Sequence, residues 1–496
     1  MNALSKHNLE ILEPLPTSVS TSTPTTETQA SLLTETVLKT EQSQKISKQA
    51  IRASLKASTT HGIFTTVFTN ITGGVLLTNF LLKLGGTSVD IGLVFSIPLL
   101  VNFLQPLGAH IADRTQSRHW YTLTIIGFSR LLWLVLVAGI MWLSWSDTDP
   151  HQLVTWTLGI ILITNILGAL GTCAWFSWMA ALVPHRLRGR YFGFRNSATS
   201  LTNLLCTPLF GFALSALPGD TIQNYGMLLS LGVVIGVVSL VSQFWMTDMN
   251  PQATYSTIAS SQKEENLNSN SEKFAPLKDT NFLKFLLYVG LWTFAINIST
   301  PFLHFYMLHD LALNIRTVTL YSSILAGANI IMLMFWGKLA DRIGNRPLLL
   351  LACSVITIIP FFWMSAKPEP VFVWVWIPLT YFMCGGFGAA IELCNNNIQM
   401  SVAPKVRPSQ YYALAAAVIG VCGGLGSITG GFLAQIDIVG GVSGLFVLSA
   451  ALRFIALLPL VFVQEPHSQP MTTLIRSILP SVHRKVVLKG AFGRFL

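Results

Sequence analysis

Charge is what this sequence has least of. Of its 496 residues only 31 are Lys or Arg and 21 Asp or Glu, about a tenth of the chain, where soluble domains carry roughly a quarter. Hydrophobic residues make up 51%, and the mean hydropathy is +0.57. Such a chain cannot cover a water-facing surface, which excludes a soluble enzyme or binding module. Cysteine is also sparse. The six present, Cys173, Cys206, Cys353, Cys384, Cys394 and Cys422, lie in apolar stretches with no CxxC spacing. They read as small buried hydrophobes, which excludes a disulfide framework and a metal site. No Walker sequence, nucleophile–base pair or cofactor motif is present, so neither ATP-driven transport nor enzymatic catalysis has a basis. The net charge of +10 does not indicate nucleic acid, whose footprint requires a basic face on a soluble domain.

What the chain has in quantity is long apolar runs. A hydrocarbon core about 30 Å thick takes about 20 helical residues, and lipid cannot satisfy open backbone groups, so the runs are expected to be helices. They fall at 61–83, 89–112, 119–145, 152–182, 192–216 and 223–247, then at 281–309, 315–340, 346–366, 371–399, 410–436 and 441–463. The expected fold is an all-α integral membrane protein of twelve transmembrane helices in two sets of six. The expected organisation is a disordered tail (1–56), a first six-helix half (57–247), a linker (248–280), a second half (281–465) and a basic tail (466–496). Residues 17–36 are rich in Ser, Thr and Pro, the composition of a disordered segment. Lacking an apolar core and carrying several Glu, the first tail resembles neither a signal nor a transit peptide.

Basic residues test the count. With both termini cytoplasmic, that side holds Lys45, Lys48, Arg52 and Lys56, then Arg114 and Arg118, then Arg186, Arg188 and Arg190. Lys263, Lys273, Lys278, Arg342, Arg346, Lys405 and Arg407 follow, and the last tail adds five more. The other side holds only Lys83, Arg316 and Lys367. This obeys the positive-inside rule through every loop, and the expected location is the plasma (inner) membrane. The run Arg186–Arg190 is expected to meet anionic headgroups.

The halves repeat. Asn70-Ile71-Thr72 returns as Asn297-Ile298-Ser299, 227 positions on, and Ala112-Asp113-Arg114 with Arg118 returns as Ala340-Asp341-Arg342 with Arg346, 228 on. Val183-Pro184 and Tyr191 return as Ala403-Pro404 and Tyr411. In the stretch Gly337-Lys338-Leu339-Ala340-Asp341-Arg342-Ile343-Gly344-Asn345-Arg346, the sequence resembles the major facilitator superfamily, whose loop reads G-x-L-A-D-R-x-G-R-[KR]. The first copy departs from that pattern at Ala109 and Gln116. The resemblance covers residues 57–465. It implies halves that rock about a substrate site near the midplane, with helices one, four, seven and ten lining the cavity. It also implies that Asp113, Arg114, Arg118, Gly337, Asp341, Arg342 and Arg346 form a cytoplasmic gate latch. The carboxylates would meet helix N-termini there.

Candidate substrate ligands follow from polar residues in apolar surroundings. Asn70 and Asn297 lie at mid-span in equivalent positions, and amides offer donors and acceptors to a ligand. Asn165 is central in the fourth span. Arg130 lies about 16 Å into the third at 1.5 Å per residue, a depth at which charged groups face a cavity or a partner. Arg453 in the twelfth reads as structural. Trp178 is an aromatic candidate for the route, with Trp175, Trp292 and Tyr381 behind it. Glu392 and His304 are the candidates for proton coupling. The expected function is secondary transport of a small organic solute by alternating access, outward in direction. Pro208-Leu209-Phe210-Gly211 resembles weakly the family's antiporter signature. Uptake of a sugar-like nutrient is the rival, and a non-transporting membrane sensor or scaffold is the alternative of another class. The partners expected are the small-molecule substrate, the bilayer and protons, with no cofactor.

Overall fold

The computed structural model describes residues 48–115, 117–143, 145, 149–183, 188–218, 221–248, 279–402 and 408–464. Residues 51–496 form one compact unit, and of the preceding 50 only residues 48–50 are described, as helix. Among the described residues every regular element is helical. The first six spans comprise α1 (Lys48–Ile71) with α2 (Gly74–Lys83), α3 (Ser88–Val101) with α4 (Gln105–Arg114), and α5 (Arg118–Leu131) with α6 (Trp133–Leu143). They continue with α7 (Gln152–Leu182), α8 (Arg188–Ala216) and α9 (Thr221–Val241). The last six are α10 (Thr280–Phe305), α11 (Ile315–Ile343), α12 (Asn345–Met364), α13 (Ile377–Val402), α14 (Pro408–Leu433) and α15 (Gly441–Val461).

Eleven of these spans are long and apolar enough to cross a membrane by composition among the described residues. The twelfth is α8, a helix of 29 residues. Its hydropathy is diluted by Thr199, Ser200, Thr202, Asn203 and Thr207. The large apolar side chains left exposed, among them Phe128, Met141, Phe335, Phe361 and Phe454, are the surface that lipid covers. The first helix begins at Lys48, earlier than the expected boundary at residue 56. Lys48, Arg52 and Lys56 recur four apart on one helical face, so good helix formers carry the helix out of the apolar zone. The disordered-tail reading of residues 17–36, most of the linker and the last tail lie outside the described residues.

Local chemistry sets the helix starts. Thr87 accepts from the Asp90 N–H while Asp90 accepts from the Thr87 N–H, a reciprocal cap on α3. Asp279 accepts from the N–H groups of Asn281 and Phe282 at the start of α10 (3.0 and 3.1 Å), and Asn314 caps α11. Each half closes on itself at the face where Ser54 and Gln464 lie. Ser54 Oγ accepts from the Thr247 N–H (3.1 Å), and the Asn281 amide bonds both ways with the backbone of Gln464. We call this the terminal face.

From the middle of the bundle to the opposite face the two halves meet along a tight seam. Ser88 Oγ donates to Gly431 O (3.1 Å). A Cβ on Gly92 would stand 2.6 Å from Ser427 O, and one on Gly211 2.7 Å from Thr319 Cγ2. Glycine is what allows α3 to reach α14, and α8 to reach α11.

Candidate functional site

The first span is two helices. Thr72 and Gly73 leave the helical conformation, and Gly74 has φ +56° in open space, a conformation that glycine adopts without strain. The Tyr225 hydroxyl donates to Ile71 O (2.8 Å), so a carbonyl freed by the break is satisfied from α9. Thr69, Gly73 and Gly74 line two cavities at once. The first, about 550 Å³, is bounded by α1, α2, α3, α5, α6 and α7, with Asn297 reaching it from the second half. The second, about 370 Å³, lies between α1, α2 and α8 on one side and α10, α11 and α13 on the other.

The expected ligands divide between them. Asn165 and Asn297 line the first cavity, and Asn70, His304 and Tyr381 the second. Asn70 is engaged locally, its Nδ2 donating to Thr66 O (2.9 Å). The Thr207 hydroxyl lies 2.7 Å from Asn70 Oδ1 and 2.8 Å from Asn203 O, one proton between two acceptors. Asn165 and Asn297 each donate one N–H to their own preceding turn, at Ile161 O and Thr293 O (both 2.8 Å). The Oδ1 and the second N–H of each remain for a ligand. His304 Nε2 is 3.5 Å from Ser322 Oγ, and its Nδ1 is buried without a partner.

Arg130 and Trp178 lie behind this lining. Arg130 is 4% exposed. Its Nη2 donates to Thr65 Oγ1 (2.9 Å), and the guanidinium lies 4.7 Å over the ring of Phe68. It is Phe68, not Arg130, that lines the cavity. Beyond Thr65 the polar chain continues through His61, which bonds to Ser239 O and to the Gln243 amide (both 2.9 Å). Arg453 has the corresponding setting in the second half, donating to Ile356 O (3.1 Å) and Ser299 Oγ (2.9 Å). Trp178 is fully buried, donates to Thr247 O (3.1 Å) and packs on His119 with ring centroids 4.9 Å apart. It ties α7 to the end of the sixth span.

Toward the terminal face, Glu392 is exposed on α13. Eleven residues separate it from Tyr381, three turns along nearly the same helical face and about 16 Å. Asp341 and Arg342 are exposed at the end of α11, and Arg114 is exposed at the end of α4. Arg346 donates to Val461 O, which ties the start of α12 to the end of α15. Gly337 has open space around it. The side chains of Asp113 and Arg118 lie outside the described residues.

Sequence reasoning passed over the break itself, although Gly73-Gly74 directly after Asn70-Ile71-Thr72 was its signal. It also passed over Thr207 and Ser129, whose hydroxyls look like ordinary helix residues until a neighbour faces them.

A two-half helical bundle with cavities at its centre, sealed toward one face, is the architecture of a membrane transporter. The family model of the Major Facilitator Superfamily matches residues 59–431 and 294–493, and the chain belongs to that superfamily. An uncharacterized MFS-type transporter of Methanocaldococcus jannaschii is 22% identical over 410 residues, which span 78% of this chain and 93% of the relative. Among solved structures, a D-xylose–proton symporter superposes with a TM-score of 0.63 at 14% identity, over 84% of this chain and 99% of that one. A bacterial homologue of the iron transporter ferroportin in its inward-facing state gives 0.62 at 13% identity, over 84% and 99%. A nucleoside transporter gives 0.59 at 13% identity, over 84% and 100%. These likenesses are of fold.

Proposed function

We propose that the protein moves a small organic solute across its membrane by alternating access, as a secondary transporter. The observation that carries this reading is the pair of cavities around the broken first span, lined by side chains of both halves, with the seam of the halves to one side of them. The terminal face is cytoplasmic by its basic loops, so the structure is read as inward-facing. Export is the first reading, on the weak resemblance of Pro208–Gly211 in α8 to the family's antiporter signature. Uptake of a polar nutrient is the second reading, and it is favoured by the four asparagines and the hydroxyls of the lining. Protons are the candidate coupling ion, with His304 in the second cavity and Glu392 toward the terminal face as the groups to carry them.

The test is reciprocal accessibility in a cysteine-free background. Asn396→Cys reports the terminal face, where Asn396 is exposed, and Thr319→Cys reports the seam, where Thr319 is fully buried. Conditions that raise the reactivity of one toward an impermeant maleimide are expected to lower that of the other. Fixed reactivity at both, with any ligand that binds, would favour a static sensor on this fold.

A further inference from the structure

We infer that the cargo is uncharged and rich in hydroxyl groups, a free sugar, polyol or nucleoside in chemical type, held between Asn165 and Asn297. The inference rests on the transporter reading and adds the chemistry of what is carried. Among the residues lining the two cavities there is no Asp, Glu, Lys or Arg. Of the arginines packed against α1, Arg130 is turned away behind Phe68 and Arg195 lies over Trp175, and neither lines a cavity. A buried charge needs a partner or several convergent hydrogen bonds, and an organic cation would find no carboxylate here.

An anion fares no better, because of where the protons go. All four side-chain hydroxyls lining the first cavity point their hydrogens at backbone carbonyls. Thr69 donates to Thr66 O (3.1 Å), Thr72 to Phe68 O (3.1 Å), Thr164 to Ile161 O (3.1 Å) and Ser129 to Thr164 O (3.3 Å). With one N–H of each asparagine also engaged, these side chains show the cavity chiefly lone pairs. Lone pairs repel an anion and accept from hydroxyls. Asn165 and Asn297 come from opposite halves, so one molecule donating to both Oδ1 atoms would tie the halves together. Phe68, Phe95 and Leu99 offer an apolar wall to its C–H face.

The test is thermal unfolding of the purified full chain with a fixed panel. Its members are glucose, xylose and adenosine, with the charged counterparts glucosamine, glucose 6-phosphate and adenosine monophosphate. A ligand that binds only the folded state raises the melting temperature. At least one neutral member is expected to raise it, and its charged counterparts are expected not to. Asn165→Ala and Asn297→Ala should each weaken that ligand at least tenfold. Asn165→Asp keeps the side chain's size and should turn the preference from glucose toward glucosamine. A charged counterpart that stabilises as well as the neutral one overturns the inference, and so does a panel in which no neutral member acts. If the panel fails while Asn396→Cys and Thr319→Cys still respond reciprocally, the cargo is misassigned and transport stands. If a neutral sugar binds while both cysteines stay fixed, the cargo assignment stands and transport falls.

Discussion

Replacing Gly211 with alanine tests the seam in energetic terms. The new Cβ would stand 2.7 and 2.8 Å from Thr319 Cγ2 and Cβ, where carbon atoms prefer about 3.5–4.0 Å. Thr319 cannot turn aside freely. It is fully buried, and its hydroxyl is held by Ile315 O (3.0 Å) and Arg316 O (2.9 Å). Overpacking of this kind costs about 1–3 kcal/mol. The cost is met only while α8 and α11 are together, so the equilibrium moves about 5- to 150-fold away from the sealed state. The readout is maleimide labelling of Ser88→Cys, on the other helix pair of the seam. Where opening is rare and fast, its rate should rise by the same factor. Thr319→Ala removes the colliding hydroxyl and methyl groups and should restore part of the slow rate in the double variant, the Cβ contact at 2.8 Å being kept. Unchanged labelling in Gly211→Ala, or no restoration by Thr319→Ala, would refute the argument that this contact holds the seam.

Three further outcomes follow. Gly74→Ala meets no neighbour but must hold φ +56°, so it should cost about 1–2 kcal/mol of stability from backbone strain alone. Gly74→Asn should cost less, as chemical denaturation in detergent can show. Trp178→Phe removes the donor to Thr247 O and should lower stability by about 1–3 kcal/mol. Affinity for any ligand of the cavities should stay unchanged, and a selective loss of affinity would place Trp178 on the route instead. Arg453→Ala leaves Ile356 O and Ser299 Oγ without their donor. It should lower the melting temperature by an amount matching about 1–3 kcal/mol, while reciprocal accessibility at the two faces persists.

The helices were legible in the sequence because hydropathy and loop charge act over 20 residues at a time, and small errors average out. Gly344, inside the recognised loop, stands at φ +90° between α11 and α12. The direction of a side chain was not legible, since one residue turns a helix by 100° and an apolar span looks alike from all sides. Arg130 stands eleven residues into its span, yet that position does not say whether it faces water or the Phe68 ring. Asn70 and Asn297 are equivalent by repeat. Their surroundings differ, since Thr207 stands beside the first, while the second faces the close approach of Gly423 and Gly426. α8 shows the same limit from the other side. Its polar residues weaken the apolar signal, and two of them, Asn203 and Thr207, line the second cavity.

The seam joining α3 to α14 and α8 to α11 has a consequence for what can operate the switch. Its contacts are a serine on a backbone carbonyl and glycines against backbone and methyl groups, with Arg316 over Phe212 at the rim. Parting such surfaces separates no ion pair among these contacts and changes no net charge, so ionic strength has little hold on it. The membrane potential likewise gains no leverage from the serine and glycine contacts, Arg316 being the one charge among those named. Control of the seam therefore has to come from inside the molecule, through whatever fills or empties the cavities at the broken helix.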